Sequence, residues 1–255
     1  MIPLHDSIPR VHTPYMLYAI TTACSLIFVF EMLLPLPQLT EFFYLYGVVP
    51  ARFTNPEWAA RMHFPPDAGY VFLTHLFIHG GWMHILINMW FLWIFGDNIE
   101  DVMGPTRFLI FYLVCGAVAT GINILFTPTS TIPVVGASGA VAGIMGAYFL
   151  LYPHARVLTL IPVIIIPFFF YLPALFFLLL WAGIQIVLGI ASLTGHASSS
   201  VAWWAHIGGF LCGIILLPFF RKKNRCYYCK IPEGTPPVKP QLMTPKPREF
   251  PPPEE

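Results

Sequence analysis

One stretch of the chain restricts its fold more than any other feature: from Phe108 to Phe220 the only formally charged residue is Arg156. Charged residues make up 10% of all 255 residues and hydrophobic residues 57%, whereas a soluble domain is roughly one quarter charged. A water-soluble fold of this composition would lack the polar atoms to cover its surface. The sequence therefore predicts a polytopic membrane protein.

Six segments are predicted to span the membrane, because a bilayer core of about 30 Å is crossed by roughly 20 helical residues. They are residues 15–34, 81–95, 108–126, 134–152, 170–193 and 201–220. We expect an all-α fold in which residues 15–220 form a six-helix membrane domain. Residues 1–14 are expected to be a leader, and residues 221–255, which are basic and then proline-rich, a disordered tail.

Positive charges give the predicted orientation, since Lys and Arg are retained on the cytoplasmic side of a membrane. An even number of spans puts both termini on one side, and that side would hold all Lys and Arg residues except Arg52 and Arg61. We expect both termini in the cytoplasm, the loop of residues 35–74 outside it, and a bacterial plasma membrane as the location. Residues 157–169, an apolar run interrupted by two prolines, predict an interfacial connector between spans four and five.

Four polar side chains lie inside predicted spans, where lipid makes an ionisable or amide group expensive and a functional role the default hypothesis. They are His84 and Asn88 in span two, Ser138 in span four and His206 in span six. These three spans run in the same direction, and at 1.5 Å per residue the four side chains come within roughly 10 Å of one plane. Three helices are therefore predicted to bring them together just below the extracytoplasmic surface.

Glycines at a GxxxG spacing follow both the serine of span four and the histidine of span six. The four glycines are Gly139, Gly143, Gly209 and Gly213. Because this spacing allows two membrane helices to approach closely, the pattern predicts contact between spans four and six.

A serine beside a histidine suggests nucleophilic catalysis, although either residue alone could be an ordinary packing or hydrogen-bonding group. A serine hydroxyl becomes a useful nucleophile when a neutral imidazole accepts its proton, so Ser138 is the candidate nucleophile and His206 the candidate base. Attack on an amide creates an oxyanion that needs prearranged donors. The candidates are the Ser138 backbone N–H, Asn88 and His84. Spans three to six contain no Asp or Glu, so a dyad is expected.

The motifs around these residues resemble the signature regions of the rhomboid intramembrane serine proteases. They are HGGWMHILINMWFLWIFGDNIED around His84 and Asn88, GASG around Ser138 and AHIGGF around His206, in that family's order and spacing over residues 72–217. The resemblance implies a six-helix rhomboid core with Ser138 as nucleophile, His206 as base and His84 and Asn88 in the oxyanion hole. It also implies an endopeptidase without a cofactor or metal, which cuts transmembrane segments of other proteins near the outer leaflet.

Two positions depart from the family pattern. Many members carry a Trp-Arg pair in the first loop, where this chain has GYVF at residues 69–72, so a different anchoring of the loop is expected. Some bacterial members place an aromatic residue one turn after the serine, against the catalytic imidazole, where this chain has Ala142. Trp203 and Trp204 are the candidates to orient His206 instead.

Other functions fit the sequence less well. A non-proteolytic relative that escorts transmembrane helices would share the fold but normally lacks the serine or the histidine. A proton-coupled transporter predicts ionisable groups on both halves of its pathway and repeated halves, which the sequence does not show. The net charge of +1 disfavours nucleic acid as a partner. Transmembrane substrates and membrane lipid are the expected partners, and the sequence does not set an oligomeric state.

Two metal-binding patterns in the sequence are weak. His75 and His79 share a helical face, but His84 turns away from it and no acidic residue is near, so we predict no metal site there. His75 and His79 are instead expected at the water boundary, near the mouth of the site. Cys226 and Cys229 form half of a zinc knuckle, in a basic segment that equally suits anionic lipid or acylation.

Overall fold

A computed structural model describes residues 1–163, 166–195 and 201–222, most of which are helical. The helices are α1 Tyr15–Leu33, α2 Leu36–Tyr46, α3 Pro50–Thr54, α4 Pro56–Arg61, α5 Val71–Thr74, α6 Trp82–Met103, α7 Pro105–Phe126, α8 Ser138–Leu151, α9 Ala174–Leu193 and α10 Trp203–Phe220. A 3₁₀ turn, His75–Phe77, follows α5. Most of the predicted tail, including Cys226 and Cys229, lies outside the described residues.

Each of the six predicted spans overlaps one helix, in chain order α1, α6, α7, α8, α9 and α10, although residues 170–173 of the fifth belong to a strand. Among the described residues, α1, α7, α9 and α10 are long and apolar enough to cross a membrane. Helix α6 joins them if the short segment Val71–Phe77, bent by 95° against it, is counted in the same span. The chain is thus a mostly helical integral membrane protein in which four or five helices are long and apolar enough to span the membrane. Helix α8 is shorter, with 14 residues.

A three-stranded antiparallel sheet makes the expectation of an all-α fold wrong. Its strands lie in the order β1 Ile2–Asp6, β2 Arg156–Val163 and β3 Ile166–Pro173. The connector predicted at residues 157–169 is therefore part of a hairpin, in which Pro162 lies opposite Pro167, and the predicted leader supplies the third strand. The hairpin sequence is rich in β-branched and aromatic residues, which favour strands. Its prolines exclude a helix and are tolerated near the end of a hairpin.

Acidic residues near the end of α6 hold the chain that leads into α1. Asp101 accepts hydrogen bonds from the backbone N–H groups of Val11 and His12, at 2.7 and 2.8 Å. Glu100 accepts hydrogen bonds from two N–H groups in the first turn of α1, at 2.9 and 2.8 Å. The start of a helix leaves such donors unpaired, so α6 completes the capping of α1.

The loop between α1 and α6 is anchored by an arginine and a tyrosine. Arg52 is buried, donates a hydrogen bond to the carbonyl oxygen of Pro65 at 2.8 Å and lies over the ring of Phe64, 5.0 Å from its centroid. The hydroxyl of Tyr70 donates to the carbonyl oxygen of Leu45 at 3.0 Å. A planar guanidinium suits a site that is both stacked and hydrogen-bonded. These contacts hold the first loop against its own backbone and rings.

Helix α8 lies inside the bundle, in contact with α6, α7 and α10. Residues 139–148 are all buried, so protein rather than lipid surrounds this short helix. A β-carbon at Gly209 of α10 would overlap the carbonyl oxygen of Gly139. One at Gly213 would overlap the carbonyl oxygen of Gly143. The close approach predicted from the two GxxxG spacings is confirmed.

Gly209→Ala is expected to destabilise the fold, because the added methyl group meets backbone that cannot rotate away. Overpacking of this kind costs about 1–3 kcal/mol. Gly183→Ala in α9 is the matched control, since its β-carbon would meet nothing within 4 Å and alanine is the better helix former. Thermal unfolding of both variants in detergent tests the contact, and equal midpoints would show that α8 and α10 are not in tight contact.

A buried carboxyl group joins the sheet to α8. The hydroxyl of Tyr148 donates a hydrogen bond to Asp6 at the end of β1. Burial raises the pKa of the Asp6 carboxyl from 3.8 to about 6, against the smaller opposing effect of the Tyr148 hydrogen bond. Between these two values the folded chain binds a proton that the unfolded chain releases. The contribution of Asp6 to stability is therefore complete below pH 3.8 and is lost as the pH rises through about 6.

Asp6→Asn is expected to remove this pH dependence, since the amide oxygen still accepts from Tyr148 but carries no charge. Relative to the variant, the wild-type chain should lose up to about 3 kcal/mol of stability between pH 4 and pH 7. Unfolding midpoints measured across that range test the prediction, with Asp67→Asn, at an exposed carboxyl, as the control. Parallel pH profiles of wild type and Asp6→Asn would contradict it.

Candidate functional site

The segment before α8 is shaped by Gly136 and packs on a histidine. Gly136 has φ +116°, a conformation that residues with a side chain rarely adopt, and a β-carbon there would collide with the imidazole of His84. The N–H of Gly136 donates to the carbonyl oxygen of His75 at 2.8 Å. This segment therefore holds the start of α8, where Ser138 is the first helical residue, close to the His84 ring.

Three of the four predicted site residues line one cavity. Its volume is about 80 Å³, and Ser138, Asn88 and His206 reach it from α8, α6 and α10. The other walls are apolar side chains and Trp181 of α9. Ser138 and His206 are half-buried, and Asn88 is buried. Among the described residues, no direct hydrogen bond joins the side chains of Ser138 and His206. In many enzymes the hydrogen bond between nucleophile and base tightens only when substrate binds.

The imidazole of His206 is oriented by a residue that sequence analysis missed. Its Nδ1 lies 2.8 Å from Oε1 of Gln185 in α9, while Nε2 of the same amide donates to the carbonyl oxygen of Trp181 at 3.2 Å. Because the amide oxygen can only accept, Nδ1 of His206 carries the proton and Nε2 keeps a free lone pair. The rule that singled out Asn88, an amide inside an apolar span, would also have found Gln185.

Aromatic rings lie on two sides of His206. Trp181 and Trp203 each have a ring centroid 6.1 Å from that of the imidazole, at interplanar angles of 35° and 88°. Trp204 instead stacks on Phe126 at 3.8 Å. Of the two tryptophans expected to orient His206, only Trp203 is therefore beside it, and α9 supplies a second ring that the sequence did not suggest.

Two polar groups of α6 can donate hydrogen bonds near Ser138. Nδ1 of His84 accepts from the N–H of Gly80 at 3.3 Å, so a neutral His84 carries its proton on Nε2, the atom nearest Gly136. The Nδ2 group of Asn88 is buried without a partner among the described residues. An unpaired buried donor is costly, and an oxygen bound in the cavity would pair it.

His75 and His79 do not lie where the sequence suggested. The expectation that His75 and His79 sit at the water boundary is wrong, since both are buried. His75 is held between the carbonyl oxygen of Val71 at 2.8 Å and the hydroxyl of Thr120 at 2.7 Å. Glu31 is fully buried and accepts the N–H of His79 at 3.2 Å. The described residues contain no cluster of three or more His, Cys, Asp or Glu suited to a metal.

Relatives of the chain occur in bacteria and in organelles. The putative rhomboid protease YdcA of Bacillus subtilis is 28% identical over 166 residues, which cover 61% of this chain and 69% of that protein. Rhomboid protein 1, mitochondrial, of Saccharomyces cerevisiae is 26% identical over 149 residues, covering 54% of this chain and 38% of that protein. Rhomboid-like protein 11, chloroplastic, of Arabidopsis thaliana is 30% identical over 152 residues, covering 59% and 52%.

The chain thus spans about half or less of the length of the yeast and plant relatives. A family model, the Rhomboid domain, matches residues 66–223, a region that contains His84, Asn88, Ser138 and His206. The match covers more than half of the sequence, and the chain belongs to the rhomboid family.

Proposed function

We propose that this protein is an intramembrane serine endopeptidase, which cleaves transmembrane segments of other membrane proteins near the extracytoplasmic leaflet with a dyad of Ser138 and His206. The observation that carries the proposal is the cavity shared by these two side chains and Asn88. Membership of a family that includes proteins named rhomboid protease supports it.

The geometry of His206 suits the role of base. With Nδ1 bound to Gln185, the lone pair of Nε2 is free to take the proton of the Ser138 hydroxyl as its oxygen attacks the scissile carbonyl carbon. The protonated imidazole then gives that proton to the departing amine, leaving an ester on Ser138. Water, activated by the same nitrogen, hydrolyses the ester and restores the hydroxyl.

The oxyanion formed in each step needs donors already in place. The unpaired Nδ2 group of Asn88 and the proton on Nε2 of His84 are two such donors. The backbone N–H of Ser138 is a third, because the first N–H groups of a helix have no partner within it. Three donors from two elements would stabilise the negative charge in a site of low polarity, where each hydrogen bond counts for more than in water.

The architecture we propose is a six-helix bundle over residues 15–220, with α8 as a sixth, shorter span. Protein surrounds α8, so it need not match the thickness of the lipid. Both termini would be cytoplasmic, in a bacterial plasma membrane, with residues 221–255 as a cytoplasmic tail. Substrate helices would enter from the lipid, past α9. They would have to unwind locally, because a peptide bond whose N–H and C=O groups are hydrogen-bonded within a helix cannot reach the cavity.

Ser138→Ala and His206→Ala are each expected to abolish cleavage of a reporter transmembrane segment, because nucleophile and base act as a unit. Ser25→Ala and His154→Ala are matched controls: the Ser25 hydroxyl only donates to the carbonyl oxygen of Thr21, and His154 is exposed. Labelling of wild type, but not of Ser138→Ala, by a fluorophosphonate probe would separate a hydrolase from an escort protein or a transporter. Full activity of Ser138→Ala would overturn the proposal.

Asn88→Ala is expected to lower kcat by about 10²–10³-fold, the usual loss for one oxyanion donor. Asn123→Ala is the control, since Asn123 is also a buried amide of a membrane helix but donates to Thr127 at 3.1 Å, away from the cavity. Initial rates of the purified variants on the same substrate give the comparison. A rate for Asn88→Ala equal to that of the control would show that Asn88 is not an oxyanion donor.

A further inference from the structure

Gln185 stands out within α9 as a polar group with two defined partners. It is the only amide in a helix of otherwise mostly apolar residues and is buried, with 6% of its surface exposed. Nε2 donates to the carbonyl oxygen of Trp181, one turn earlier, and Oε1 lies 2.8 Å from Nδ1 of His206 in α10. Turning the amide over would place Oε1 against the Trp181 carbonyl, two acceptors facing each other. The backbone therefore fixes which end of the amide meets the histidine.

We infer that Gln185 is a positioning residue, which selects the tautomer and ring orientation of His206 that are competent to act as a base. This inference rests on the function proposed above. The buried oxygen of Gln185 takes the place that a carboxylate occupies in a triad, without bringing a charge into the membrane, where an ionised carboxylate is expensive.

A neutral imidazole has two tautomers, and rotation about its bond to Cβ exchanges the positions of Nδ1 and a ring carbon. Trp181 and Trp203 lie beside the ring and limit its tilt, but an aromatic face does not distinguish a nitrogen from a carbon as a hydrogen-bond acceptor does. Only the ring state with a protonated Nδ1 beside Oε1 makes the hydrogen bond to Gln185. In that state Nε2 is unprotonated, as a base must be.

The acceptor belongs to a different helix from the histidine that it holds. Helix α9 packs mainly against α10 and contacts α8 only weakly, and only five of its 20 residues are buried. A displacement of α9 would therefore lengthen the bond between Gln185 and His206 without moving α8 or α10. The orientation of the base thus depends on where α9 lies.

Gln185→Met and Gln185→Glu test the inference in the full-length purified protein. Methionine fills a similar volume with only a weakly accepting sulfur, whereas protonated glutamate keeps an acceptor oxygen for His206 and an O–H donor for the Trp181 carbonyl. We expect Gln185→Met to lower kcat about 3- to 10-fold, the value of one net hydrogen bond, and to change KM less than about twofold. Gln185→Glu should return most of the lost kcat. Ile184→Met, at a neighbouring exposed position, is the matched control and should leave kcat unchanged.

Unfolding midpoints of the variants separate a loss of fold from a loss of orientation. Wild-type kcat in a folded Gln185→Met protein would overturn the inference while leaving the proposed function intact, as would a folded Gln185→Glu protein no more active than Gln185→Met. Failure of the wild-type chain to show any cleavage that depends on Ser138 would instead overturn the proposed function, and this inference with it.

Discussion

The site depends on the contact between α8 and α10, where two backbones meet without side chains between them. Carbonyl oxygens of Gly139 and Gly143 occupy the space that side chains at Gly209 and Gly213 would take. In lipid, no hydrophobic effect pushes two helices together, so van der Waals contact must supply the attraction, and it is strongest where backbones approach most closely. Because Ser138 begins α8 and His206 lies in the first turn of α10, the same contact sets how near these side chains can come.

Around that contact, polar side chains are paired across helices. Gln185 of α9 binds His206 of α10, Thr120 of α7 binds His75, and Glu31 of α1 accepts the N–H of His79. A polar group facing lipid would have no partner, which is why such residues turn toward one another. The ring nitrogens of His79 and the amide donor of Asn88 are buried without a partner among the described residues. Asn88 lines the cavity, and its unpaired donor is what the proposed oxyanion hole would use.

The apolar helices and the candidate site residues could be named from the sequence because both leave a local signal. Long apolar runs located each spanning helix, and His84, Asn88, Ser138 and His206 were visible as polar residues at a common depth. Gln185 obeys the same rule, but its role depends on the packing of α9 against α10, which no local pattern reveals. The hairpin of β2 and β3 was missed because an apolar run interrupted by prolines fits an irregular connector as well as a strand. The burial of His75 and His79 likewise depends on the bent path of the chain before α6.

The pairing of β1 with β2 has a consequence for the order in which the protein is made. Ile2 pairs with Leu160, so the partner of the first strand is synthesised long after it, by roughly 8–30 s at 5–20 residues per second. During that interval β1 has no partner strand, while the residues of α1, α6, α7 and α8 are synthesised. The sheet can therefore form only after the hairpin has been synthesised, later than the four helices α1, α6, α7 and α8 that precede it in the chain.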